Sequence, residues 1–304
     1  MADDLASLRP YLFSIAYRLV GSASEAEDLV QEAFVRYMAA QPENVRSERA
    51  FLSTIVTRLS LDYLKSARLK REAYIGPWLP EPVLTERDAL GPLETLEQRE
   101  SVSLAMLVLL ERLSPDERAV FVLHEAFEYP FAEIGEMIGK SAATCRQVFH
   151  RARERLSAGR ARFSASREIQ RTLVEQFIAA AERGDMRSLS AVLAEEVTVW
   201  GDGGGKVAAG RIPIVGREAV LRFLEGIVRL APAQTRFEIA EVNALPGPLV
   251  FIGAELIQVS TMDAVDGRIM GIRNVLNPDK LAFVQRQLTQ SMSHVKPAPW
   301  PVSR

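Results

Sequence analysis

Residues 131–156 group side chains whose chemistry suits nucleic acid, and they read as two short helices joined at Gly139-Lys140-Ser141. On the second helix Cys145, Val148, Phe149, Ala152 and Leu156 recur at helical spacing and form an inward face. Arg146, His150 and Arg153 line another face, with Gln147 and Arg151 beside them. Arginine offers a fork of donors to guanine edges or phosphate oxygens, and glutamine bonds to adenine. A slender helix with this outward face therefore fits the major groove of DNA. Ser141 and Thr144 at the helix start suit phosphate. Arg155, Arg160 and Arg162 add charge without base selectivity. The pattern alone is also that of an ordinary helical hairpin with a solvated basic face.

A second basic group, Arg58, Lys65, Arg68, Lys70 and Arg71, lies along a helix expected over 48–71, with Tyr63 among them. Cations track a single-stranded backbone, and an aromatic face receives an unstacked base. A basic run at a helix C-terminus equally complements the helix dipole. Asp62 repels phosphate and is read as structural.

Catalysis has little to work with. Residues 166–290 contain no His, Tyr or Cys, and only carboxylates such as Asp202, Asp263 and Asp266 remain. Proton transfer at neutral pH relies on His, or on a tuned carboxylate opposite an oxyanion donor. No enzymatic activity and no cofactor are expected. Asp202-Gly203-Gly204-Gly205-Lys206 lacks the spacing of a phosphate-binding P-loop. It reads as a turn after a strand, with glycines that permit close backbone approach. A single cysteine, Cys145, excludes an internal disulfide, and three scattered histidines suggest no metal site.

The elements that position these groups follow from periodicity. Residues 5–72 read as helix, clearest over 25–38. There Ala26, Leu29, Val30, Ala33, Phe34, Tyr37 and Met38 share a face, and Asp28, Gln31 and Glu32 lie off it. Ser22 or Ser24 can cap this helix. Residues 73–100 form a linker, because the prolines of Gly76-Pro77-Trp78-Leu79-Pro80-Glu81-Pro82 remove donors and fix the backbone. Its apolar content implies that Trp78 and Leu79 dock on a surface. Residues 101–163 are helical again, with Ser114-Pro115-Asp116-Glu117 a helix start. Beyond 166 the reading is two helices around Gly184-Asp185, a strand over 197–200 and a helix over 217–229. Strands follow over 235–245, 249–261 and 268–276, with turns at Pro246-Gly247-Pro248 and Asp266-Gly267. This order is that of an α+β domain. The tail from Lys296 is expected to be unstructured.

Composition sets the bounds. The 304-residue chain has room for two or three domains, and its net charge is only −2, so any DNA contact must come from local patches. No apolar run approaches the roughly 18 residues needed to cross a bilayer. The opening MADDLASLRP has no signal-peptide core, so a cytoplasmic protein without a membrane partner is expected.

In this order the motifs resemble the extracytoplasmic-function, sigma-70 type of bacterial RNA polymerase sigma factor. Glu27-Asp28-Leu29-Val30-Gln31-Glu32-Ala33-Phe34 is similar to that family's core-binding signature. Phe51-Leu52, Arg58, Asp62 and the basic run are similar to its −10 region. Leu113-Ser114-Pro115-Asp116-Glu117-Arg118, Glu133-Ile134-Gly135 and His150-Arg151-Ala152-Arg153 are similar to its −35 domain. Arg58 stands where many members have Asn. The remainder resembles an NTF2-like, SnoaL-like cone. A subgroup of these sigma factors carries such a domain, with motifs similar to Trp78-Leu79-Pro80-Glu81-Pro82, Asp202-Gly203-Gly204-Gly205-Lys206 and Asn277-Pro278-Asp279-Lys280-Leu281.

The resemblance implies a multidomain chain. Two all-α sigma domains, a helical bundle at 1–72 and a helix-turn-helix at 101–163, flank the linker at 73–100. An α+β NTF2-like domain follows at 166–290, and a tail at 291–304. It implies that Asp28, Gln31 and Glu32 meet the clamp helices of the polymerase largest subunit. Arg58, Tyr63, Lys65, Arg68, Lys70 and Arg71 would meet −10 DNA. Ser141, Thr144, Arg146, Gln147, His150, Arg151 and Arg153 would meet −35 DNA. The linker residues Trp78, Leu79 and Pro80 would join the 202–206 loop and the 277–281 segment in an intramolecular regulatory contact that replaces a separate anti-sigma factor. The alternative is a DNA-binding regulator with a ligand-sensing cone domain.

Overall fold

In a computed structural model of the chain, residues 5, 7–40, 47–86, 90–91, 93, 95–160 and 167–292 are described. Three helices open the fold: α1 (Arg9–Val20), α2 (Ala23–Ala40) and α3 (Glu48–Glu72). Gly21 ends α1 at φ +69°, a left-handed conformation suited to glycine, and its N–H donates to the Tyr17 carbonyl at 2.8 Å. Ser22 starts α2, its Oγ accepting from the Glu25 N–H at 3.2 Å.

After the linker come α4 (Leu96–Val102), α5 (Leu104–Leu110), α6 (Pro115–Glu125), α7 (Phe131–Ile138) and α8 (Ala142–Arg160). Ser114 and Glu117 form a reciprocal capping box at the start of α6. Gly139, at φ +72°, closes α7. A Cβ on Gly135 would lie 2.4 Å from the Lys140 carbonyl oxygen, so the tight turn into α8 requires glycine there. The face of α8 expected to be inward is buried in full: Cys145, Val148, Phe149, Ala152 and Leu156. Val148, Phe149 and Leu156 alone contribute roughly 5–9 kcal/mol of apolar transfer.

The C-terminal unit begins with α9 (Arg167–Glu182) and α10 (Met186–Val192), which lead into β1 (Leu193–Asp202) and β2 (Ile214–Val215). Then come α11 (Arg217–Leu230), β3 (Thr235–Val242), β4 (Leu245–Ile252), β5 (Glu255–Val265), β6 (Arg268–Val275) and α12 (Pro278–Met292). The sheet order is β2-β1-β6-β5-β4-β3, with β1 parallel to β6 and the other pairs antiparallel. Helices α9, α10 and α11 cover one face over a core of Phe177, Leu189, Val197, Val220, Met262 and Ile272.

Three strand expectations are corrected. Pro246-Gly247-Pro248 is no turn but lies inside β4, and the hairpin turns instead at Asn243-Ala244. Both turn residues have positive φ, +53° and +64°, as a two-residue hairpin requires. The prolines fit because Val242 opposite Leu245 closes the hairpin. Positions 246 and 248 therefore turn away from β3, toward β5, which pairs with β4 only from Leu249 onward. The expected strand over 249–261 is two strands, separated by a turn at Gly253, φ +59°. The short β2 was not anticipated, and the strand expected over 197–200 extends to Leu193–Asp202. The tail from Lys296 lies outside the described residues.

The helical and sheet units share one hydrophobic cluster. Leu12, Leu19, Val102 and Leu104 belong to it together with Leu79, Val83, Val242, Val259, Leu281 and Val284. Phe13 stacks on Phe283 at 5.7 Å between centroids. The linker is sandwiched between the two units: Glu81 N–H donates to the Gly21 carbonyl at 2.9 Å and Thr85 N–H to that of Glu241 at 2.9 Å, while Leu84 bridges to Val242.

Candidate nucleic-acid and interdomain interfaces

The outward face of α8 is open. Arg146, Gln147, His150, Arg151 and Arg153 are all exposed, and none has a salt bridge among the described residues. Ser141 and Thr144 are exposed but engaged with each other. The Ser141 Oγ accepts from the Thr144 N–H at 3.1 Å and lies 2.8 Å from its hydroxyl. Arg155 is tied to Glu117 at 2.9 Å, so it is a buttress to α6 rather than a free charge. The Arg160 side chain and Arg162 lie outside the described residues.

On α2, Asp28 and Gln31 are exposed, whereas Glu32 pairs with Arg36 at 2.7 Å. Glu27, one residue before Asp28, pairs with Arg286 of α12 at 2.9 Å.

The −10 candidates separate. Tyr63 is half-buried against the helical core, and Lys65 pairs with Asp62 at 3.1 Å. Arg68, Lys70 and Arg71 are helical, with side chains outside the described residues. Arg58, though exposed, is bound to another element. Its Nε donates to the Met137 carbonyl at 2.8 Å and an NH2 group donates to that of Glu136 at 3.1 Å. These carbonyls lie in the last turn of α7, where unsatisfied acceptors and the helix dipole favour a cation.

Asp202, at the end of β1 with no exposed surface, organises the interdomain site. Its carboxylate accepts from the Tyr74 hydroxyl at 2.5 Å, the Leu79 N–H at 2.8 Å, Lys280 Nζ at 2.7 Å and the Gly204 N–H at 3.1 Å. Such a charge is tolerated in the interior because a cation and several donors surround it. Lys280 also donates to the Leu79 carbonyl at 2.5 Å and lies 4.6 Å and 4.4 Å from the Tyr74 and Trp78 ring centroids. Burial, and then the hydrogen bond to Asp202, push the Tyr74 phenol well above its ordinary value, so it stays a donor.

The glycines after Asp202 allow close approach by their neighbours. A Cβ on Gly203 would lie 2.4 Å from the Val207 carbonyl oxygen. One on Gly204 would lie 2.2 Å from Asn277 Nδ2, and one on Gly205 would lie 2.9 Å from Ile75 Cδ1. Asn277 donates to the Tyr74 hydroxyl at 2.8 Å, and its carbonyl accepts from the Lys280 and Leu281 N–H groups. Lys206 reaches Asp279 at 2.5 Å on the surface. Pro278 is the exposed first residue of α12, Leu281 is buried in the shared core, and Pro80 is buried beside Trp78, whose ring lies over Gly21.

Sequence reasoning missed the neutral half of this interface. Asn243, fully buried, donates at 2.7 Å to both the Tyr17 hydroxyl and the Val102 carbonyl, and accepts from the Val83 N–H at 3.1 Å. Gln287 exchanges two bonds with the Leu84 backbone, at 2.9 Å and 3.0 Å. Asn243 could have been suspected only as a turn residue, and Tyr74 carried no signal beyond its place at the start of the linker.

A three-helix unit, a helix-turn-helix with an exposed basic face and a helix-covered sheet define a sigma-type chain with a fused α+β domain. Residues 5–70 match the Sigma-70 region 2 family, 103–156 match Sigma-70, region 4, and 174–270 match the SnoaL-like domain. The extracytoplasmic-function (ECF) RNA polymerase sigma factor SigJ of Mycobacterium tuberculosis is 38% identical over 289 residues, covering 91% of this chain and 92% of that one. The probable ECF RNA polymerase sigma factor SigI of the same organism is 33% identical over 291 residues, covering 92% and 94%. The crystal structure of the Mycobacterium tuberculosis SigJ protein superposes with a TM-score of 0.75 at 33% identity, covering 93% of this chain and 99% of that one. The chain belongs to the extracytoplasmic-function RNA polymerase sigma factor family. No helix among the described residues is long and apolar enough to cross a membrane.

Proposed function

We propose that this sigma factor binds core RNA polymerase in the cytoplasm, directs promoter-specific initiation, and is regulated by its own SnoaL-like domain in place of a separate anti-sigma factor. The domain divisions are 1–72 for core and −10 binding, 73–100 for the linker, 101–163 for −35 binding, and 166–290 for regulation. Asp28, Gln31 and Glu32 meet the clamp helices of the polymerase largest subunit. The α8 face from Arg146 to Arg153 reads the −35 duplex, and α3 with its basic end engages the opened −10 strand. The SnoaL-like domain contributes no catalysis.

The observation that carries the regulatory reading is the seating of the linker on Asp202 through Tyr74 and Leu79. The linker decides how far the two DNA-reading units can separate. The −35 and −10 elements lie roughly two turns of duplex apart, on the order of 70 Å. Arg58 on the Met137 carbonyl instead holds α3 against α7. On this reading the compact form holds the two units too close to reach both elements, and release of the linker lets it open. A tethered domain acts at an effective concentration on the order of millimolar, so weak contacts suffice to set this equilibrium.

Polymerase docking is tested by reversing Asp28 and Glu32 to Lys together and measuring affinity for core enzyme. Binding weakens if α2 docks through this stripe. Unchanged affinity in a folded variant contradicts it.

A further inference from the structure

A pocket of about 310 Å³, partly open to solvent, lies in the SnoaL-like domain between the sheet and α11. Val199, Ile214, Phe223, Ile227 and Leu276 make its walls, and the 208–212 segment closes one side. None of its lining residues is titratable. An ionic occupant would lose part of its hydration without gaining a counter-charge, so a neutral one is favoured.

The only polar side chains lining the cavity among the described residues, Gln258 and Asn274, form a paired amide edge. Gln258 Nε2 donates to Asn274 Oδ1 at 3.2 Å and to the Ser260 hydroxyl at 2.8 Å, and that hydroxyl donates to Asn274 Oδ1 at 2.8 Å. Gln258 Oε1 and Asn274 Nδ2 are left without a protein hydrogen bond among the described residues. Flipping both amides still leaves one acceptor and one donor. An adjacent donor and acceptor on an otherwise apolar wall match the edge of a carboxamide or lactam.

The closing segment has a second neighbour. Ala208, Ala209 and Gly210 also line the cleft that contains Ile75 and Gly76 of the linker. A Cβ on Gly76 would lie 3.9 Å from Arg211 Cα. The same few residues thus separate the cavity from the linker.

We propose that this cavity binds a small, neutral, mostly apolar molecule bearing a carboxamide-type group, and that its occupancy displaces the 208–212 segment and loosens the linker from Asp202. The loosening rests on the linker-seating reading above, whereas the binding does not. A ligand shifts such an equilibrium by its differential affinity for the two states.

The test uses full-length protein with benzamide, benzoate and toluene as probes, together with hydrogen exchange at the Leu79 N–H. Benzamide is expected to saturate the cavity, with benzoate and toluene weaker by about tenfold or more. Gln258→Leu removes the acceptor and Ile227→Trp, at a half-exposed wall position, fills the space. Each is expected to weaken benzamide about tenfold. Benzamide binding no better than toluene, or unaffected by both variants, overturns the site. Saturation should accelerate Leu79 exchange severalfold. Saturation with unchanged exchange overturns the coupling and leaves the site. A Leu79 N–H unprotected without any probe would instead contradict the linker seating itself.

Discussion

Arg58 Nε donates to the Met137 carbonyl at 2.8 Å, joining the helix expected to engage −10 DNA to the element that precedes the helix proposed to read −35 DNA. The residue that departs from the usual Asn of the family is thus used within the protein, at the C-terminal end of α7. An arginine reaches two adjacent carbonyls that the shorter Asn side chain would not.

Replacing Arg58 with Ala should loosen the two units proposed to read DNA. Hydrogen bonds from an exposed cation to two carbonyls are worth about 1 kcal/mol, so the open fraction should rise roughly fivefold. Energy transfer between dyes at Ser66 on α3 and Ser157 on α8, both exposed, measures this without DNA. An unchanged distance distribution would remove Arg58 from the account.

Gly204→Ala should weaken the linker seat with little effect elsewhere. A Cβ at φ +59° costs about 1–2 kcal/mol before its clash with Asn277 and Tyr74. Faster proteolysis between Tyr74 and Pro82, with the thermal transition of the protein retained, is the expected result.

Lys280→Met should cost about 3–5 kcal/mol, because it leaves the fully buried Asp202 carboxylate without its cation. Adding Asp202→Asn should recover a large part of that loss. A double-mutant cycle by urea denaturation checks it, and additive losses would mean that the pair is not coupled.

On the −35 face, Arg146→Ala and Arg153→Ala should differ in kind if Arg146 reads a base and Arg153 a phosphate. Loss of a base contact costs about 1–3 kcal/mol and relaxes one promoter position. Loss of a phosphate contact weakens all sequences alike and lowers the salt slope by about 1. A promoter library read with holoenzyme at several salt concentrations separates the two.

The helical half was legible because its signals are local. The five inward residues of α8 follow from spacing alone, and the Ser114 cap from four consecutive residues. The strands were harder. Pro246-Gly247-Pro248 has turn composition, yet its missing donors fall on the side of β4 that β5 leaves unpaired, and Gly247 is demanded by the approach of the Ser260 carbonyl, 2.3 Å from a Cβ built there. Whether a proline is tolerated depends on which neighbour pairs and where, which is long-range information. The same holds for Arg58. Its charge suggested DNA, and only tertiary structure reveals the carbonyls that it meets.

Run-off transcription with core RNA polymerase, from the DNA upstream of the protein's own gene, tests regulation by the fused domain most directly. The intact chain is compared with chains ending at residue 165 and at residue 209. The account predicts transcript yields that change when the SnoaL-like domain is removed in whole or in part. Equal yields from all three chains would contradict it.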